Sequence, residues 1–292
     1  MKIAKFIVLL GVLGVSFSAI FVRFITAPSA VIAFLRMTIA AALLLPFLLL
    51  KYREELKSLS LKKILPCVIS GICLAIHFSS YFEAVKNTSV AASTVLVDME
   101  AFFVAISLPI FFHERLSVKS IFFILITFIG SIIVATSGSS GGQNTAYGNI
   151  MALIGGAAVA VYTLIGKQCR KTMSTSVYTW LVYSSSAFTL LFLCLFTSTP
   201  VSGYPLFDYI FCAALAIICT LMGHSVFSWG LKYVETSFIS TTKLGEPVIA
   251  TLLAAAFFGE APGIRATVGG MAVITGIYLY IRHSHIIGTQ SD

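Results

Sequence analysis

A chain of 292 residues that is 58% apolar and only 10% charged is far from a water-soluble domain, in which about a quarter of positions carry charge. The net charge of +8 comes from lysines and arginines gathered in short loops, where they fix membrane topology, so no nucleic-acid partner is expected. Cys67, Cys73, Cys169, Cys194, Cys212 and Cys219 are scattered through apolar stretches with no C-x-x-C and no metal-ligand spacing. They read as small core residues, and no metal or cofactor is expected.

The apolar content divides into ten segments, over 5–25, 29–50, 64–85, 90–111, 119–136, 147–166, 177–197, 208–230, 236–258 and 264–282. Each is close to the roughly 20 residues that an α-helix rising 1.5 Å per residue needs to cross about 30 Å of hydrocarbon. The fold class predicted is therefore an all-α polytopic membrane protein. Helices are preferred to barrel strands because the segments lack strict alternation, and lipid offers no partner for open backbone groups. The first segment has the basic start of a signal peptide, but its apolar run continues to Phe24 without an A-x-A site, so it is predicted to be the first spanning helix.

Counted by alternate sides of the membrane, the basic residues divide unevenly. One side holds Lys2, Lys5, Lys51, Arg53, Lys57, Lys62, Lys63, Arg115, Lys119, Lys167, Arg170, Lys171, Lys232 and Arg282, and the other Arg23, Arg36, Lys86 and Arg265. This split of 14 against 4, with Lys243 inside a helix, places both termini in the cytoplasm and the protein in the cytoplasmic membrane.

Shifted by 146 residues, half its length, the sequence meets itself: Lys86 falls on Lys232, Glu100 on Glu246, Glu114 on Glu260 and Gly130 on Gly276. Two repeats are predicted, over 1–142 and 143–285, followed by a polar tail at 286–292. Five helices per repeat is an odd number, so the second repeat must cross the membrane with opposite orientation, as in many secondary transporters.

Leu96-Val97-Asp98-Met99-Glu100-Ala101 leading to Phe112-His113-Glu114-Arg115-Leu116-Ser117, and Leu244-Gly245-Glu246-Pro247 leading to Phe257-Phe258-Gly259-Glu260, resemble the EamA family of the drug/metabolite transporter superfamily. Gly11 to Arg23 and Phe34-Leu35-Arg36 are also similar. Ala101 stands where the first repeat usually has Pro, and His113 where Gly is usual. The resemblance implies ten helices in two inverted repeats, with a cavity lined by helices 1, 3, 4, 6, 8 and 9. It also implies export or import, usually without ATP, of a small polar metabolite such as an amino acid or amine; taken together with the acidic bias of the central charges, export is expected.

Ionisable groups at membrane depth are costly and normally face a cavity or one another. Asp98, Glu100, Lys243 and Glu246 are such groups, in the repeat-related segments 90–111 and 236–258. Lys243 and Glu246 are three apart and share a helix face, whereas Asp98 and Glu100 are two apart and point away from each other. All four are therefore not expected to serve one small site from one direction. Some are expected to bind the cargo or take up a proton; the alternative is a structural ion pair with hydrogen-bonded acids. His77 and His224 lie one residue from exact repeat equivalence, suited either to proton relay or to an ordinary interhelical hydrogen bond. Tyr81, four residues after His77, shares its face.

Further candidates for cavity lining are Phe17, Ser18, Tyr162, Phe227 and Trp229, although with 24 Phe in the chain packing and lipid contact account for most aromatics. Pro247 is expected to kink its helix beside Glu246. Glu114 and Glu260, with Arg115 and Arg265, are expected to organise turns. Gly269, Gly270 and Gly276 should allow a close helix approach, within the chain or in a homodimer.

An enzyme is not expected. His113-Glu114 begins an H-E-x-x-H motif but Ser117 occupies the second His position, and neither G-x-S-x-G nor a P-loop occurs. A channel or membrane sensor is the alternative to a carrier, and matched central charges in an inverted repeat favour the carrier. Three acids against one lysine favour a cationic or zwitterionic cargo.

Overall fold

The computed structural model describes residues 2–113, 116–136, 145–259 and 263–290, and these are helical, with no strand among them. The expected turn residues Glu114, Arg115 and Glu260 lie outside the described residues. Seven helices are long and apolar enough to cross a membrane: Ile3–Phe24, Ser29–Lys51, Leu61–Asn87, Val90–Phe112, Ala146–Cys169, Thr175–Phe196 and Leu206–Gly230. The stretches Val118–Ile133 and Thr267–Tyr280 are shorter apolar helices.

Several spans are divided. The first consists of α1 (Lys2–Ser16) and α2 (Ser18–Phe24), separated at Phe17. Then follow α3 (Ser29–Lys51), the short α4 (Arg53–Lys57) and α5 (Leu61–Asn87). The segment after it is α6 (Val90–Val97) and α7 (Glu100–Phe112), followed by α8 (Val118–Thr136), α9 (Ala146–Cys169) and α10 (Thr175–Phe196). The next span begins as α11 (Leu206–Ala214), passes through π-helical turns over Leu215–His224 and ends as α12 (Ser225–Gly230). Last are α13 (Thr236–Lys243), α14 (Glu246–Phe258) and α15 (Ile264–Gln290).

The boundaries repeat. Adding 146 carries α6 onto α13 and α7 onto α14, both ends included, and carries the start of α3 onto that of α10. It also carries His113 onto Gly259, the residues that close α7 and α14 in the left-handed conformation, at φ 58° and φ 70°. Packing is reciprocal in the same way. Helix α3 packs on α10 and α8 on α15, while α5 packs on α9 and α1 on the π-helical turns.

Solvation by lipid allows large apolar side chains to face outward. Phe188, Phe192 and Phe196, four residues apart along one face of α10, are 73%, 71% and 79% exposed, whereas the interior contains Arg36, Asp98, Glu100, Lys243 and Glu246 along with its apolar core. Pro247, expected to kink its helix, lies in the first turn of α14, directly after the interruption at Leu244 and Gly245, where its fixed φ suits a helix start.

Of the glycines singled out in α15, Gly276 sits tightly against α8. A Cβ there would overlap Thr127 Oγ1 and lie 2.9 Å from Thr127 N, whereas at Gly270 its nearest contact would be Val248 Cγ1 at 3.5 Å. The close approach is thus made within the chain. Gly276→Ala is expected to destabilise by about 1–3 kcal/mol through overpacking, while Gly270→Ala should gain up to about 1 kcal/mol of helix propensity. Thermal unfolding of the two purified variants would check this, and equal effects at both positions would contradict the packing.

Candidate functional site

The helix interruptions build the site. After α6 the backbone tightens: Met99 N–H donates to Leu96 O at 3.4 Å and Ala101 N–H to Asp98 O at 3.1 Å, both three residues back. After α13 the same occurs, with Leu244 N–H donating to Thr241 O at 3.2 Å and Gly245 N–H to Thr242 O at 3.1 Å. Such 3₁₀-type turns advance about 120° per residue in place of about 100°. Residues three apart, such as Lys243 and Glu246, then nearly eclipse, and residues two apart, such as Asp98 and Glu100, diverge by about 120° in place of about 160°.

Asp98, Glu100, Lys243 and Glu246 accordingly all line one enclosed pocket, together with Ser18, His77, Tyr81 and His224 and the apolar Val15, Phe78, Val97 and Val159. The four charged groups were not expected to serve one small site from one direction; they reach this pocket from two tightened turns, one in each half of the chain. The cavity measures about 30 Å³, space for about two water molecules.

Charges meet across the two halves of the chain. Lys243 Nζ donates to Glu100 Oε2 at 2.5 Å and lies 5.1 Å from the centre of the Phe227 ring, while the other Glu100 oxygen accepts from Thr163 Oγ1 at 2.7 Å. Lys243 therefore pairs with Glu100, and not with Glu246 on its own helix face. Glu246 Oε1 accepts from Tyr81 OH at 3.4 Å. Asp98 is 4% exposed, and its Oδ2 has no partner among the described residues. A buried carboxylate oxygen left in that state is costly unless something polar comes to it.

The histidines also converge. The His77 ring lies parallel to Tyr81 with centroids 6.0 Å apart, and 5.9 Å from His224. His77 Nδ1 is 3.0 Å from Gly155 O, whereas His224 Nδ1 is buried and has no partner among the described residues. The wide π turns sweep fewer degrees per residue than an α-helix. His224, one position beyond exact equivalence, therefore still faces the pocket. Helix α9 comes close enough to complete the wall because residue 156 is Gly, where a Cβ would lie 2.7 Å from Val97 O.

The remaining lining candidates lie outside the pocket wall. Phe17 occupies the turn between α1 and α2 and stacks on Phe21. Tyr162 OH shares a hydrogen bond with Ser228 Oγ at 2.7 Å, with its ring 6.5 Å from His224. Phe227 stands behind Lys243, and Trp229 packs on Tyr233 at 4.7 Å.

Arg36, counted on the sparse side for topology and not among the site candidates, is 0% exposed inside α3. Its Nε donates to Thr220 Oγ1 at 2.6 Å and its Nη1 to Ser18 Oγ at 3.2 Å, while its guanidinium lies 4.0 Å over the Phe78 ring. It thus supports the pocket wall through Ser18 and Phe78. The available signal was its position, eighth in a 23-residue apolar helix, where a cation needs polar partners within the protein.

The chain is 28% identical over 275 residues to an uncharacterized transporter of Archaeoglobus fulgidus, with 92% of this chain and 94% of that protein covered. It is 26% identical over 252 residues to the uncharacterized transporter YyaM of Bacillus subtilis, with 83% and 81% covered. A solved crystal structure with 17% identity covers 98% of this chain and 99% of its own with a TM-score of 0.78, a likeness of fold. The sequence model of the EamA-like transporter family matches residues 2–136 and again 146–282. The chain is thus a multi-pass membrane protein, a transporter and not an enzyme, and belongs to the EamA-like transporter family.

Proposed function

We propose that this protein is a secondary transporter that carries a small cationic or zwitterionic metabolite, an amino acid or amine, across the cytoplasmic membrane by alternating access. The observation that carries the reading is the unpartnered Asp98 carboxylate oxygen beside Glu246 in a pocket to which both halves of the chain contribute. With Glu100 already neutralised by Lys243, these two acids are the groups left to receive an ammonium. His224 and His77 would hand on a proton where a pH gradient drives the cycle, and export is the direction that the family resemblance and the acidic bias together favour.

The proposed frame is ten membrane helices in two inverted five-helix repeats, over 1–142 and 143–285, with residues 286–292 as a tail. It is supported by the boundary correspondence at a shift of 146 and by the reciprocal packing of α5 on α9 and α1 on the π-helical turns. Each split span then counts as one helix. Both termini are assigned to the cytoplasm by the distribution of Lys and Arg, which sharpens once the buried Arg36 leaves the sparse side. A cavity of about 30 Å³ is too small for a metabolite, so the site is closed here and must open by movement of one repeat against the other.

The test is counter-flow of labelled amino acids and amines in proteoliposomes, with and without a pH gradient. Saturable exchange of a cationic or zwitterionic compound is expected. Non-saturating flux without counter-flow would make the protein a channel, and exchange confined to dicarboxylates would overturn the cargo class.

A further inference from the structure

A second, larger cavity of about 650 Å³ lies between the start of α5 and the ends of α7 and α9, and its lining residues are all different from those of the charged pocket. Its walls include Phe111, Val161, Leu164 and Ile165, and its rim carries Lys62, Lys63 and Lys171 with no carboxylate among the described lining residues. The size is that of a ligand site and not of a packing defect.

The three rim lysines are exposed, while Phe111 is 71% and Val161 45% exposed on the wall, a combination expected where protein meets both headgroups and acyl chains. Lys171 follows the C-terminus of α9, where the helix dipole favours a cation, but Lys62 and Lys63 stand in the first turn of α5, which holds no acid. Positive charge there opposes the dipole, and an anion bound between them would relieve it. The acids of adjoining α4 are engaged elsewhere: Glu54 pairs with Lys57 at 2.8 Å and Glu55 accepts from Ser174 N–H at 2.7 Å.

We propose that this cavity is a binding site for one anionic phospholipid of the Lys- and Arg-rich leaflet, with the headgroup phosphate between Lys62, Lys63 and Lys171 and an acyl chain along Val161, Leu164 and Phe111. The site is independent of the transport cycle proposed above. A basic rim over an apolar groove between helices selects an anionic lipid over a zwitterionic one, because both bury the same chain and only one neutralises the lysines.

Native mass spectrometry of the purified protein titrated with dioleoylphosphatidylglycerol or dioleoylphosphatidylcholine tests this. One phosphatidylglycerol should remain bound, in preference to phosphatidylcholine. Binding should fall about a hundredfold in Lys62→Gln/Lys63→Gln/Lys171→Gln, with each lysine contributing about a factor of five. Lys119→Gln/Lys232→Gln, also on the Lys-rich side, should bind as the wild type does. Val161→Trp fills the groove while leaving the charges, and should also lose the lipid. Equal retention of both lipids, or an unaltered triple variant, would show that the lysines serve topology alone and overturn the site. Displacement of the lipid by millimolar inorganic phosphate would replace it with a simple anion site, and retention by Val161→Trp would remove the acyl chain from the groove.

Discussion

Glu246→Gln is expected to slow substrate counter-flow by about 10- to 100-fold while leaving the protein folded, because a hydrogen bond to a buried charged group contributes about 1.5–3 kcal/mol. The replacement preserves volume, and its amide oxygen can still accept from Tyr81 OH, now 3.4 Å away. Pro247 continues to occupy the first turn of α14, so the local backbone has no reason to move. Only the charge is lost. An elution volume unchanged on size exclusion would establish that the variant folds. If counter-flow survived but no longer responded to a pH gradient, Glu246 would carry the proton and Asp98 the cargo. Undiminished transport under both conditions would exclude Glu246 from the site.

Glu100→Leu should produce the largest loss of stability. It removes the partner of Lys243, which is 7% exposed and surrounded by the Phe227 ring and the pocket wall, and it deprives Thr163 Oγ1 of its acceptor. Breaking one side of a buried ion pair costs about 3–5 kcal/mol, whereas replacing both members with apolar groups is often close to neutral. Glu100→Leu/Lys243→Met should therefore recover most of the loss, although transport would remain impaired because the pair lines the pocket. Thermal unfolding of the single and double variants in detergent provides the cycle. A double variant whose loss equals the sum of the two single losses would mean that the two residues are not energetically coupled.

The extent of the helices was legible because lipid leaves few alternatives. The segments predicted at 29–50 and 177–197 are α3 (Ser29–Lys51) and α10 (Thr175–Phe196), since their ends are set by the loss of apolar character at the membrane surface. Rotation about the helix axis was not legible. A membrane helix is apolar on its lipid face as well as its packed face, so no amphipathic stripe sets its phase. Arg36 was not recognised as support for the site for this reason, and Phe17, Tyr162, Phe227 and Trp229 could not be sorted into wall and support. The 3₁₀-type turns after Val97 and Lys243 have no strong common signature, since Gly245 and Pro247 mark one and Met99 and Ala101 occupy the other.

Composition and hydropathy by themselves determined that this chain lives in a bilayer as helices, because every backbone polar group there must be satisfied within its own segment. The repeated Lys86, Glu100 and Gly130 at Lys232, Glu246 and Gly276 pointed to helices that pack as equivalents. Only the tertiary structure decided which charges meet. Lys243 reaches Glu100, 143 residues away, and not the Glu246 that the sequence places on its own face. A contact of 2.5 Å between separate helices depends on their crossing, their rotation and the tightened turn in each, and neighbouring residues along the chain encode none of these.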